Sequence, residues 1–346
     1  MKTWKRNIFT CFLLYSLLIS CRKNEGSIQN EKNKIVVLAE ITAGDSAIIP
    51  VSKSIAVGTN ASVSFEKITT ASVMITDTIG NTSILHWNNA ADFSNNPSTI
   101  FTNPVLFKPN QSYSLQVSQA GLETANASTH IPQSFSVRNV DAVDGERNGK
   151  EVLEFNFTIQ DIGNEKDYYI FEAVKQLVYL RTYFFWQGVK YDYNTTEGQN
   201  VYDQASSQQD ISLFKDTVLT NKYQRLNLYT SDVQTNNEDF TSLDSSFHRI
   251  FLTDSLFNGN SYTTSFAIDK SYFEAQVPED KGRILVRIKS VSKELFDYLS
   301  QYEKYRTEFG ILPPSNLLSP SGNINGGYGV FGGSYKNEWV YYYDEL

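Results

Sequence analysis

The chain has 346 residues, 20% of them charged, and its formal net charge is −8 at pH 7. An acidic chain without a basic stripe is a poor partner for nucleic acid, so nucleic-acid binding is excluded from the functions considered. The two cysteines are Cys11 and Cys21. Because Cys11 lies in a segment that we expect to be removed, no disulfide framework and no thiolate zinc site is expected in the mature chain.

The first 21 residues have the order of a bacterial lipoprotein signal peptide. Three basic residues at positions 2, 5 and 6 precede an apolar run, Ile8–Ile19, which ends in the lipobox sequence Leu18-Ile19-Ser20-Cys21. The run is shorter than the roughly 20 residues that a permanent membrane-spanning helix needs. We therefore predict that residues 1–20 are cleaved off and that Cys21 is the lipid attachment site. The alternative is an ordinary secretory signal in which Cys21 is incidental.

The segment after the predicted cleavage site is expected to connect the lipid to the folded protein. Residues 21–34 are polar and charged and contain no aromatic side chain, which is typical of a flexible tether. Each buried methylene of an acyl chain contributes about 0.8 kcal/mol, so several chains on one cysteine anchor a protein stably. The folded part is predicted to begin near Ile35.

The segment 35–133 has the pattern of an immunoglobulin-like β-sandwich domain. Short runs of β-branched and aromatic residues alternate with clusters of Gly, Pro, Asn and Ser. Pro132 follows the last of these runs and is predicted to close the domain. The predicted strands are Lys34–Ile41, Ala47–Val51, Ala61–Phe65, Ala71–Thr76, Ser83–Trp87 and Ser112–Val117.

The segment 134–346 is predicted to form a second β-rich domain that contains one packed C-terminal helix. Leu153, Phe155, Phe157 and Ile159 alternate with polar residues and so predict a half-buried strand. The helix is predicted near 292–309, between a possible cap at Ser292 and the Gly310 stop, with its apolar stripe facing the protein. Further strands are predicted at Ser134–Val140, Tyr168–Leu180, Tyr262–Ile268 and Arg283–Val291.

The C-terminal part of the chain carries the most specific pattern. A strand and helix, Arg283–Leu299, precede Pro313-Pro314 and a glycine-rich closing box at 322–333. This combination resembles a family of lipoproteins from Bacteroidota known as domain of unknown function 4249. The resemblance covers nearly all of the mature chain. Its box residues are Asn323, Ile324, Gly326, Gly327, Gly329, Phe331 and Gly332, with Tyr328 where Leu is commoner.

The family resemblance implies a location and a partner, but no reaction. It implies a lipid-anchored outer-membrane protein, often encoded beside a TonB-dependent receptor, and it supplies no catalytic residues. Whether the protein faces the surface or the periplasm stays open, because Arg22 and Lys23 precede the acidic Glu25 and Glu31 after Cys21.

The closing box allows two interpretations. Its five glycines at 326–333 permit positive φ angles and close backbone approach. The box is therefore expected either to pack against a neighbouring strand, which is the commoner use of such glycines, or to contact a ligand or partner directly. It matches no phosphate-binding pattern.

An aromatic cluster is the second candidate site. Neighbours in a strand point to opposite faces, so the cluster holds more rings than one buried face can take, and one face is expected to stay exposed or to meet a partner. A core between domains would use the same residues. The cluster comprises Tyr179, Tyr183, Phe184, Phe185, Trp186, Tyr191 and Tyr193, of which Tyr183, Phe185, Trp186 and Tyr191 are the candidate contact residues.

The sequence lacks the motifs of common enzymes. No His-Glu-x-x-His or Gly-x-Ser-x-Gly occurs, and Asp141, Asp144 and Glu146 resemble a calcium loop only superficially. We predict a non-enzymatic protein without cofactor or metal. Two function classes remain: an accessory lipoprotein that binds a TonB-dependent receptor in nutrient capture, and a structural or adhesion module of the cell envelope.

Overall fold

The structure is a computed structural model that describes residues 33–54, 67–89, 98–147, 149–163, 165–235, 247–274, 282–309 and 321–342. The predicted signal peptide, Cys21, nearly all of the predicted tether and the predicted strand Ala61–Phe65 lie outside these residues. In the part of the chain that is described, no helix is long and apolar enough to cross a membrane.

The fold is mostly β, as predicted. The described strands are β1 Ile35–Thr42, β2 Ser46–Lys53, β3 Ser72–Asp77, β4 Thr82–Trp87, β5 Thr99–Leu106, β6 Gln111–Ser118, β7 Ala125–Ile131, β8 Ser136–Arg147, β9 Lys150–Gln160, β10 Tyr168–Trp186, β11 Val189–Asp192, β12 Phe214–Arg225, β13 Leu228–Tyr229, β14 Ile250–Thr253, β15 Ser261–Asp269, β16 Arg283–Val291 and β17 Gly327–Tyr342. The helices are α1 Thr196–Ser206 and α2 Lys293–Phe309, and short 3-10 turns follow β14 and β15.

The N-terminal strands enclose one hydrophobic core. Their order is β1-β2-β5-β4-β3-β6-β7, and alternate apolar residues of these strands point inward. Phe331 of β17 and Ile324 just before it belong to the same core. A C-terminal segment therefore completes the packing of the N-terminal strands.

The remaining strands form a second core between two sheets. A four-stranded sheet in the order β13-β15-β9-β8 packs against β10 and β16. Leu153, Phe155, Phe157 and Ile159 of β9 are all buried in this core, as their alternation predicted. Aromatic rings dominate it: Phe157 meets Phe171 edge to face, with ring centroids 5.0 Å apart.

Strand β17 joins the two halves of the protein into one sheet. It runs parallel to β1, from Ile35↔Gly327 to Thr42↔Ser334, and antiparallel to β16, from Val291↔Ser334 to Arg283↔Tyr342. The result is a 13-stranded sheet that continues across the boundary predicted at residues 133 and 134. The C-terminal strand is thus hydrogen-bonded to the first strand of the chain.

Each helix packs on one face of this sheet. Helix α2 lies where the sequence predicted a helix, and its Leu295 and Phe296 are buried against Ile170, Phe251 and Val330. Helix α1 was not predicted. It is polar, and its N-terminus is capped by Thr195, whose hydroxyl accepts a hydrogen bond from the Gly198 N–H at 3.0 Å.

A network of buried charges lies on the same face as α2. The carboxylate of Glu172 on β10 is 2.6 Å from Lys289 and 2.8 Å from Arg225, and Arg249 lies 3.5 Å away. Burial alone would raise the pKa of Glu172, but these cations outweigh burial and hold the pKa well below its usual range. The carboxylate is therefore charged in the folded protein.

Candidate functional site

The closing box lies at the start of β17, and Asn323 fastens it to two strands. The Asn323 side-chain amide donates hydrogen bonds to the carbonyls of Ser128 on β7 and Phe331 on β17, both at 2.9 Å. Its Oδ1 accepts a bond from the Phe331 N–H, also at 2.9 Å. All of these partners are backbone groups, so the Asn323 side chain fixes the backbone conformation at the start of β17 and its position beside β7.

The glycines of the box lie where neighbouring backbone leaves no room for a side chain. A Cβ at Gly327 would lie 2.5 Å from the Ile35 carbonyl oxygen, and one at Gly329 would lie 2.0 Å from the Val37 carbonyl oxygen. Gly329 also has a φ of +101°, which other residues rarely adopt. These two glycines let β17 lie directly beside β1.

The later glycines make the same kind of contact with α2 and β7. A Cβ at Gly332 would meet the Leu295 side chain at 2.4 Å, and one at Gly333 would meet the His130 carbonyl oxygen at 2.5 Å. Gly333 and Ser292 also exchange hydrogen bonds: the Ser292 N–H donates to the Gly333 carbonyl at 2.8 Å, and the Ser292 hydroxyl accepts the Gly333 N–H at 3.3 Å. Close packing thus accounts for these glycines.

An open groove of about 870 Å³ runs beside the box, over β3, β6 and β7. Asn323 and Asn325 are among its lining residues, which are mostly neutral hydroxyl and amide side chains. Asn323 already bonds to backbone groups, and Asn325 pairs with Asn126 through its backbone. The two box residues therefore hold the wall of the groove in place.

The aromatic cluster lies on a three-stranded extension, which we call the aromatic arm: residues 179–186 of β10, together with β11, β12 and α1. Strand β10 is 19 residues long, and its first half pairs with β14 and β16 inside the protein. Its second half pairs with β12 on one edge and β11 on the other. The arm therefore continues the main sheet outward.

The inner face of the arm is packed against α1. Phe184 is fully buried, stacked on Tyr191 at a ring separation of 5.6 Å and meeting Tyr202 of α1 edge to face at 5.3 Å. Trp186 lies two residues further along the strand and is half-buried on this same side. Two of the four predicted contact residues, Trp186 and Tyr191, are thus on the packed face.

The outer face of the arm carries an exposed group of rings, which we call the outer aromatic face: Tyr183, Phe185 and Phe214. Tyr183 meets Phe185 edge to face at 5.7 Å and stacks on Phe214 of β12 at 5.6 Å. Phe185 is 53% exposed and Phe214 is 46% exposed. The sequence reasoning missed Phe214, because the pairing of Tyr183 with Phe214 depends on the β10–β12 register.

Paired charges border the outer aromatic face. Arg181 donates two hydrogen bonds to the Asp216 carboxylate, at 2.8 and 2.6 Å, and Lys190 donates a third at 2.9 Å. The bonds from Arg181 and Lys190 lower the pKa of Asp216. The Lys190 ammonium also lies 3.6 Å from the centre of the Tyr183 ring, a cation–π contact. The side chains of this face are therefore held in place before any partner binds.

Residues 25–338 match the family model for a domain of unknown function, DUF4249. The chain belongs to this family. A search of curated proteins gives no match. For this DUF4249 protein, the box that the sequence singled out is a packing element, and the outer aromatic face is the exposed candidate site.

Proposed function

We propose that this DUF4249 protein is a non-enzymatic outer-membrane lipoprotein that binds a TonB-dependent receptor through the outer aromatic face and assists nutrient capture. The observation that carries the proposal is the exposure of Phe185 and Phe214 on one face of an arm whose other face is already packed. The receptor as partner class comes from the family resemblance of the sequence.

The outer aromatic face has the chemistry of a protein-binding surface. Aromatic and arginine side chains are enriched at interface centres, where they bury large areas at a small cost in side-chain entropy. Here the rings of Tyr183, Phe185 and Phe214 contact one another, and the Arg181 side chain is fixed by Asp216. A partner that covers this face would remove water from two half-exposed rings without having to reorder them.

The predicted lipid anchor supports the membrane part of the proposal. A protein held by acyl chains on Cys21 would meet its receptor in two dimensions, which favours the encounter. Metabolic labelling with a palmitate analogue tests the anchor: the wild type should be labelled, and a labelled Cys21→Ser variant would contradict it.

Affinity purification from detergent-solubilised outer membrane tests the binding surface. We expect a TonB-dependent receptor to co-purify with the wild type and to be lost from a Phe185→Ala/Phe214→Ala variant, since an anchor residue worth about 2 kcal/mol changes affinity roughly thirtyfold. Ile84→Ala is the matched control, because Ile84 is as exposed as Phe185, at 53%, but lies on β4.

Each outcome of this purification decides between the two function classes. Full retention of the receptor by the double variant would overturn the assignment of the surface. Absence of any receptor from the wild-type eluate would overturn the partner and favour the alternative of a structural or adhesion module of the envelope.

A further inference from the structure

Three aspartates from two segments, the β9–β10 connection and the turn after β14, come together at one end of the second core. Asp161 follows β9, Asp167 precedes β10, and Asp254 follows β14. One carboxylate oxygen of each lies within 4.8 Å of those of the other two. The segments are tied by backbone bonds, since the Asp254 N–H donates to the Asp167 carbonyl at 3.2 Å.

The side chain of Asp254 is buried in this cluster. The residue is 1% exposed, and neither of its carboxylate oxygens receives a hydrogen bond from the described residues. A buried carboxylate without a partner costs several kcal/mol unless it is neutralised. The Asp254 carboxylate is therefore the member of the cluster that would gain most from a bound cation.

Asp161, in contrast, is held in a fixed orientation. Its Oδ1 accepts a bond from the Tyr169 hydroxyl and its Oδ2 accepts one from the Gly259 N–H, both at 2.6 Å. A Cβ at Gly163 would lie 2.4 Å from the Gly259 Cα, so the two loops that carry this contact are pressed together. The cluster thus has one oriented carboxylate and one unpaired carboxylate that face each other.

We propose that Asp161, Asp167 and Asp254 bind a calcium ion, which ties the β9–β10 connection to the turn after β14. All three donors are carboxylate oxygens, the ligands that hard divalent cations prefer, and there is no sulfur or imidazole among them. Calcium accepts irregular geometry and six to eight oxygen ligands, whereas magnesium demands a near-ideal octahedron. A site built from two loops meets the calcium requirement more readily.

The competing account is a proton in place of the ion. Burial, reinforced by the neighbouring carboxylates of Asp161 and Asp254, raises the pKa of Asp167 to about 7. An ion-free cluster would then retain a proton near neutral pH. The two accounts differ in whether calcium binds, which is directly measurable.

Calcium titration of the full lipidated protein in detergent, after treatment with EDTA and buffer exchange, tests the proposal. We expect binding in the range of extracellular calcium modules, about 10⁻⁴–10⁻³ M, a higher melting temperature in calcium than in EDTA, and a weaker response to magnesium. Terbium should also give tyrosine-sensitised luminescence, because the Tyr169 hydroxyl contacts Asp161.

Two variants test whether Asp254 is a ligand of the calcium ion. Asp254→Asn should bind calcium at least tenfold more weakly, yet melt no lower than the wild type in EDTA, because it removes an unpaired buried charge. Asp141→Asn, at an exposed position of β8 in the sequence that only superficially resembles a calcium site, should behave as the wild type.

Several results would overturn the proposal. These are an absence of calcium binding by the wild type, an equal response to magnesium, or equal calcium affinity in Asp254→Asn. Should Asp254→Asn fail to fold, the wild-type titration and terbium luminescence still decide the question.

Discussion

The closing box and the aromatic arm are both dense in unusual residues, yet the structure uses them in opposite ways. The box segment of β17 is contacted by β1, β7 and α2, and its glycines Gly327, Gly329, Gly332 and Gly333 are placed where a side chain would strike one of these neighbours. The arm is covered on one face only, so Phe184 is buried while Phe185, next to it, is half-exposed. An unusual composition indicates a binding surface only where packing leaves the side chains uncovered.

The largest effect is expected where the box is tightest. Gly329→Ala would place a Cβ 2.0 Å from the Val37 carbonyl oxygen at a φ of +101°. Positive φ costs about 1–3 kcal/mol and overpacking about as much again, a large part of a typical stability of about 5–15 kcal/mol. We expect thermal unfolding to show a severe loss of stability. Gly121→Ala is the control: its φ is +80°, but nothing lies within 4 Å, so a loss of similar size would contradict the packing role.

A second large effect is expected at Glu172, in the first half of β10. This half is buried, whereas the second half belongs to the aromatic arm and is exposed on one face. Glu172→Gln removes the buried carboxylate that Lys289, Arg225 and Arg249 share, although Lys289 keeps Glu40 at 3.0 Å, and should cost about 3–5 kcal/mol. Because the folded pKa of Glu172 is lowered, its contribution is present above the unfolded pKa of about 4.3 and is lost as the pH falls through the folded pKa.

Denaturant unfolding at several pH values checks this expectation. The stability difference between the wild type and Glu172→Gln should shrink as the pH falls below about 4. A difference that is constant from pH 7 to pH 3 would contradict the charged state of Glu172. Asp216→Asn, on the exposed arm, should change the unfolding midpoint little, because surface ion pairs contribute little.

An intermediate effect is expected for the polar contact of the box. Asn323→Ala removes the amide that serves the Ser128 and Phe331 backbone groups and should cost about 2–3 kcal/mol. Asn325→Ala keeps the backbone pairing with Asn126 and should cost less. Equal losses in denaturant unfolding would show that the Asn323 side chain has no special role.

The smallest effect on stability is expected on the outer aromatic face. Phe185→Ala should change the free energy of unfolding by about 1 kcal/mol or less, whereas Phe184→Ala should cost about 3–5 kcal/mol. These neighbours differ in burial, from 53% to 0% exposed. Similar melting temperatures for the two variants would mean that the arm is packed on both faces.

Residue patterns predicted the elements whose signal is local. The alternation in β9, the position of α2 and the mostly β fold follow from periodicity alone. Strand β17 was missed because its glycines lower strand propensity, and β7 was missed because its buried positions include Ala125 and Ala127.

The candidate sites depend on contacts between distant residues, which a single sequence does not display. The predicted contact residue Trp186 lies on the packed face, and Phe214 completes the exposed one, because strand register decides the face. The aspartate cluster joins Asp161 to Asp254, 93 positions later, so no spacing motif marks it.

Photo-crosslinking in living cells tests the central claim most directly. A photoreactive phenylalanine analogue would be placed at Phe185 and, separately, at the equally exposed Ile84. The account predicts a crosslink from position 185 to a TonB-dependent receptor and none from position 84. Absence of that crosslink at position 185, or equal crosslinking at both positions, would contradict the outer aromatic face as the receptor-binding surface.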